Sequence, residues 1–180
     1  MKNTKQNLAY TLFVLIALML TGCAATQPSE PLSGKVKFDK ITLNFIQKHI
    51  PRTKQYQSQD DVERKLNDEI IKNLELNNML DANSTDELVI TIDFRRIFMG
   101  EDMPISKLRS DTIASPKLGY DIKIIRDAKV LRHLRKTNLN YSAGFAGNIK
   151  HIMMMDKENE RENGAIGALS KDIVERVKEF

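Results

Sequence analysis

Residues 58–98 read SQDDVERKLNDEIIKNLELNNMLDANSTDELVITIDFRRIF, and two apolar periods meet inside that stretch. Val62, Leu66, Ile70 and Leu74 recur every fourth residue, which places them on one face of an α-helix. Ser58 is suited to cap that helix, and Asp60 and Asp61 suit the positive end of its dipole. Asn77 and Asn78 fall near its expected end at about Leu80. From Leu88 the period drops to two. Leu88, Ile90, Ile92 and Phe94 alternate with Val89, Thr91, Asp93 and Arg95, the pattern of a strand over Glu87 to Phe98 with one buried face. A one-sided helix followed by a one-sided strand implies two packed layers.

Outward from this pair the same two patterns recur. Val36 and Phe38, then Ile41, Leu43 and Phe45, alternate with polar residues, so a strand is expected within Lys35 to Ile46. Its parity changes at Asp39-Lys40, which implies a bulge or a later start. Residues 100–117 have no period and contain two prolines, and read as a long loop. Leu118, Tyr120, Ile122 and Ile124 mark a third strand, and residues 126–129 a turn into a fourth, from Val130 to about Ala143. A glycine-containing stretch (143–147) and a charged segment (156–162) precede a final helix, where Ile166, Leu169, Ile173, Val177 and Phe180 share one side. Gly164, Gly167 and Ala168 are expected to let that helix approach the sheet. The prediction is an α+β fold: a mostly antiparallel four-stranded sheet with two helices on one face, in the order β-α-β-β-β-α. One domain spans residues 35–180.

The first 22 residues fall outside that pattern. Lys2 and Lys5 precede an apolar run from Leu12 to Leu20, with no acid before Glu30. A positive head, a short apolar core and small residues at its end are the parts of a secretory signal. The run is shorter than the roughly 20 apolar residues a membrane-spanning helix needs. It ends in Leu20-Thr21-Gly22-Cys23, which resembles the lipobox of bacterial lipoprotein precursors. That resemblance implies cleavage before Cys23 by signal peptidase II, recognising Leu20, Thr21 and Gly22, with diacylglycerol and an N-acyl chain on Cys23. It implies no other cofactor. Ala24-Ala25 follows where an aspartate would signal inner-membrane retention in enteric bacteria, so the resemblance favours the outer membrane, facing the periplasm, over the inner membrane. Residues 23–34, rich in small and polar residues with two prolines, read as a lipidated flexible tether. Cys23 is the only cysteine, which leaves no internal disulfide.

Removing residues 1–22 takes away two lysines and no acid, which halves the formal charge of +4. That balance and export argue against nucleic acid as a partner. His49, His133 and His151 have no ligand spacing, and no second cysteine accompanies them, so no metal site is expected. Met153-Met154-Met155 cannot all face one way, and read as core filling with partial exposure. No nucleophile elbow, Ser-x-x-Lys or phosphate-binding glycine loop is present, and Ser110-Asp111 fits no motif, so no catalytic residue is assigned and a non-enzyme is expected.

Charge is distributed unevenly. Lys123, Arg126, Lys129, Arg132, Arg135 and Lys136 crowd the third and fourth strands against Asp127 alone, and Arg95 and Arg96 lie on the strand before. The first helix carries six acids (Asp60, Asp61, Glu63, Asp68, Glu69, Glu75) against three bases. Two readings stand: a basic face for an acidic protein surface, lipopolysaccharide or anionic headgroups, or a solvated edge protected by cations.

The order of elements together with LTGC resembles a group of periplasm-facing lipoproteins. These include the lipopolysaccharide-assembly lipoprotein that plugs the outer-membrane translocon and the curli-secretion lipoprotein. The N-terminal domain of the Tol-system propeller protein has a similar arrangement. The chain lacks the aromatic segment that follows the cysteine of the translocon plug, and any pore-forming insertion. The resemblance implies a lipid-tethered, non-enzymatic accessory domain bound to the membrane through its anchor and to an envelope protein. Lipopolysaccharide is the alternative partner.

Overall fold

The structure, a computed structural model, describes residues 30–140 and 159–180. Pro31–Phe180 forms one compact unit. Its elements are β1 (Thr42–Gln47), α1 (Gln59–Leu76), β2 (Glu87–Arg96), β3 (Lys117–Arg126), β4 (Lys129–Asn140) and α2 (Glu160–Lys178). This is the α+β order expected, with sheet order β1-β2-β3-β4. One feature of the sheet differs. β1 runs parallel to β2, with Thr42 opposite Thr91 and Phe45 opposite Phe94, whereas β2–β3 and β3–β4 are antiparallel. The sheet is therefore mixed. The cause is α1: a helix between two neighbouring strands carries the chain back to the starting end, which makes them parallel.

Alternation decides which face is covered. Leu88, Ile90, Ile92 and Phe94 of β2 and Leu118, Tyr120, Ile122 and Ile124 of β3 join one core with both helices. From α1 come Val62, Leu66, Ile70 and Leu74, and from α2 Ala165, Ile166, Leu169, Ile173, Val174 and Val177. The other face carries Asp93, Asp121, Lys123, His133 and Arg135, of which none is fully buried. Of the small residues expected to bring α2 close to the sheet, Gly167 and Ala168 do not serve that purpose. A methyl on Gly167 would meet nothing within 4 Å, and Ala168 is exposed, while Ala165 and Ser170 are the small side chains that face inward.

The parity change at Asp39-Lys40 marks a late start. Val36 and Lys37 form isolated bridges to Leu80 and Glu87, and the continuous strand begins at Thr42. Asn67 Oδ1 accepts from Ile41 N at 2.8 Å and ties this entry to α1. The expected tether ran to Gly34, but Ser33 N already donates to Asp86 Oδ2 at 2.7 Å, so the chain is held before that residue. The turn between β3 and β4 places both Asp127 (φ 51°) and Ala128 (φ 61°) in the left-handed region. That is the two-residue turn whose twist suits a hairpin, made here without the usual glycine.

Ser58 caps α1 as expected: its Oγ accepts from Asp61 N at 3.1 Å, and the Asp61 carboxylate accepts from Ser58 N at 3.3 Å. Ser58→Ala should lower stability by about 1 kcal/mol, read from the urea midpoint, because it leaves one helix donor without its partner. An unchanged midpoint would mean that water satisfies that donor equally well.

Candidate functional site

The eight cations expected to form a binding face do not share one surface. Arg96 is 3% exposed, and its guanidinium lies over the Phe45 ring at 4.9 Å. Its Nε and Nη2 donate to Glu162 of α2 at 2.6 and 2.8 Å, and its Nη1 to Gln47 Oε1 at 2.7 Å. Arg126 donates to both carboxylate oxygens of Asp86, at 2.7 and 3.0 Å. Arg95 meets Glu101 at 2.8 Å. Arg132 and Lys136 lie on the helix side, where Arg132 Nε donates to the Phe180 carbonyl and Lys136 Nζ to Asp172. Lys123 and Arg135 lie on the opposite face beside Asp121, and Lys129 flanks the hairpin turn. Asp172 shows how fully such charges are engaged. Burial pushes its carboxyl up, but the Tyr120 hydroxyl and Lys136 outweigh burial and hold it below the usual range. Cys23 and Leu20-Thr21-Gly22 lie outside the described residues.

A concave region does form, at the end of the sheet where β1 and β2 finish. The segment after β1 supplies Lys48, His49, Ile50, Arg52 and Thr53 to one wall. The loop after β2 supplies Glu101, Asp102, Lys107, Arg109 and Asp111 to the other. Together they enclose a cleft of about 1120 Å³. In open sheets, ligands bind beyond the carboxyl ends of parallel strands, and β1 and β2 are the parallel pair here.

Asp111 fastens the two walls together. Its Oδ1 lies 2.6 Å from His49 Nε2, and its Oδ2 accepts from Arg52 N, Thr53 N and Thr53 Oγ1, each at 2.8 Å. Its backbone carbonyl accepts from the Tyr56 hydroxyl at 2.6 Å. The hydrogen bond from His49 is the largest reason that this carboxyl ionises well below the usual range, followed by those from Thr53 and Arg52. An ionised carboxylate only accepts, so His49 Nε2 carries its proton. Beneath, the His49 and Tyr56 rings pack edge-on against Phe98, with centroids 4.8 and 5.6 Å away. Gly100 starts the outer loop at φ +73°, where a methyl group would stand 2.5 Å from the Leu108 carbonyl oxygen. Only glycine suits that place.

The His49–Asp111 contact has the composition of a catalytic dyad, yet its hydroxyls are spent. Thr53 donates to Oδ2 and Tyr56 to the carbonyl, which makes the cluster a loop fastening. The electrostatics of the cleft are more informative. Glu101 is occupied by Arg95 and by Phe98 N, and Asp111 by the groups above. Among the described residues Lys48, Arg52 and Lys107 have no carboxylate partner, and Arg109 donates only to the Met103 carbonyl. Asp102 is the one acid left to oppose them, so the cleft is positive. Ile50, which lines it, is 80% exposed, and Ile105 (56%) and Leu108 (57%), on the same loop as Lys107, also expose their side chains. Among the described residues no three His, Cys, Asp or Glu side chains converge as metal ligands. No helix among them is long and apolar enough to cross a membrane.

Sequence reasoning placed the basic face on the hairpin and passed over this cleft. His49 and Asp111 stand 62 residues apart and Ser110-Asp111 matches no motif. The available signal was residues 100–117 themselves, since long aperiodic loops inside compact domains are uncommon and tend to carry function.

No protein family and no curated protein matches the sequence. Among solved structures, the chain is similar to a minor lipoprotein from Acinetobacter baumannii. The two are 16% identical with a TM-score of 0.40, over 82% of this chain and 95% of that one.

Proposed function

We propose that this chain is a non-enzymatic lipoprotein, anchored through acyl chains on Cys23 in the outer membrane and facing the periplasm. There it serves as an accessory domain that binds another envelope component in an assembly or transport complex. The observation that carries the reading is the placement of LTGC, which closes the apolar run Leu12–Leu20 a few residues before the compact unit begins at Pro31. Residues 24–30 then remain as the link, with a reach of roughly 25 Å at full extension. A positive cleft built by two loops, with its hydroxyls spent on holding the loops together, suits recognition better than catalysis.

The test is expression of the full chain and of Cys23→Ala in a Gram-negative host, with membrane fractionation and mass spectrometry of the mature N-terminus. The expected result is an N-terminal Cys23 carrying diacylglycerol and an amide-linked acyl chain. Cys23→Ala should lose the lipid and the membrane association together. An unmodified Cys23 in the native chain would sink the reading.

A further inference from the structure

We infer that the cleft between residues 48–53 and 100–111 is the partner-reading end of the anchored domain, and that it docks an acidic protein segment bearing aliphatic side chains. The inference rests on the anchor reading above and adds where the partner binds and what chemistry it has.

The first argument is charge. Lys48, Arg52 and Lys107 converge from two chain segments without carboxylate partners among the described residues, while Glu101 and Asp111 are engaged elsewhere and Asp102 alone is left to oppose them. Unpaired cations held on one concave surface favour an acidic partner and speed its approach. The second argument is exposed apolar side chains next to the cations in the same segments. Ile105 and Leu108 lie on the same loop as Lys107 and, like Ile50 across the cleft, are more than half exposed. Cations alone would suit a phosphate; cations flanked by exposed aliphatic side chains suit a segment that carries both carboxylates and apolar groups.

The third argument is position, since the cleft is remote from the point where the chain enters the folded unit. The chain enters the unit at Pro31, whose carbonyl accepts from Arg126 Nη2, and Ser33 N is held by Asp86. Both contacts sit where β2 begins and β3 ends. The cleft lies past the opposite end of β2, a strand of 10 residues and so about 33 Å away. The entry of the chain and the cleft are thus at opposite ends of β2 within the folded unit, so the contacts that fasten the entry leave the cleft residues open.

The full chain in detergent is titrated against a labelled amphipathic peptide with glutamate on one helical face and leucine on the other, read by fluorescence anisotropy. The expected result is salt-sensitive binding that weakens about tenfold or more in the triple variant Lys48→Ala, Arg52→Ala, Lys107→Ala. It should also weaken in Ile105→Ser with Leu108→Ser, and hold in Lys123→Ala with Arg135→Ala on the open sheet face. The substituted cleft side chains make no ion pair, so the variants should fold; thermal melts by circular dichroism check this. Peptide binding that ignores the cleft variants, or no binding to the native chain, would overturn the proposal. So would cleft-dependent cosedimentation with phosphatidylglycerol vesicles when the peptide fails, which would assign the site to anionic lipid. Mass spectrometry of the N-terminus in the same preparation reads the anchor separately, so failure there is distinguishable from failure of the cleft.

Discussion

Arg96→Ala should lower the stability of the domain by about 3–5 kcal/mol, a large share of the roughly 5–15 kcal/mol that holds a native domain folded. Arg96 and Glu162 are 3% and 0% exposed, and they meet through two hydrogen bonds of 2.6 and 2.8 Å. Gln47 Oε1 and the Gln57 carbonyl take further guanidinium protons, so the end of β1, the lead into α1 and the first turn of α2 all close on this one side chain. Removing the arginine leaves a carboxylate buried without its counter-charge, and removing Glu162 leaves the guanidinium in the same state. Both single changes should therefore be severe in urea unfolding. The double change Arg96→Met with Glu162→Leu should recover most of the loss, because it removes both desolvated charges and keeps the volume filled. If the double variant were as unstable as either single one, the network would be holding the fold by geometry that apolar packing cannot replace.

The second large effect is on acid stability. Asp86 is fully buried, and the hydrogen bonds from Arg126 hold its carboxyl down to about 2; burial opposes them, and the Ser33 N–H assists. Its ordinary value is 3.8, so the folded state binds this proton less readily than the unfolded chain does. The resulting stabilisation is complete above about pH 4 and is lost as pH falls through about 2. Its size is on the order of 2 kcal/mol. Asp86→Asn should thus be less stable than the native chain at pH 7 by about that amount, and the gap should close near pH 2. Urea midpoints measured at both values would show it, and a gap of equal size at both would mean that Arg126 is held by shape and not by charge. The same two contacts fasten the chain entry at Ser33 to the sheet, so Asp86→Asn should also loosen the attachment end without touching the cleft.

Much of the fold was legible because it is local. Val62, Leu66, Ile70 and Leu74 share a helix face by spacing alone, and Ser58 caps it through a residue three positions away. The alternation from Leu88 to Phe94 is likewise a property of neighbouring residues, and it predicted which side would be buried. Direction was less accessible: β1 and β2 carry the same alternation whether parallel or antiparallel, and only the crossover through α1 distinguishes the two. The charged segment before the last helix shows the limit more sharply. It was placed before the helix, yet the helix begins at Glu160 and Glu162 is wholly buried, since its partner comes from β2.

By itself the sequence determined the element order, the buried faces and the LTGC sequence at Cys23, because periodicity, capping and short sequence patterns are written over a few consecutive residues. Only the tertiary structure decided which cations are spent. Arg96 and Arg126 find buried carboxylates 66 and 40 residues away, whereas Lys48, Arg52 and Lys107 find none among the described residues. A charge in a sequence has a sign but no partner, and it is the partner, with the water that the partner excludes, that separates a structural arginine from one left to bind.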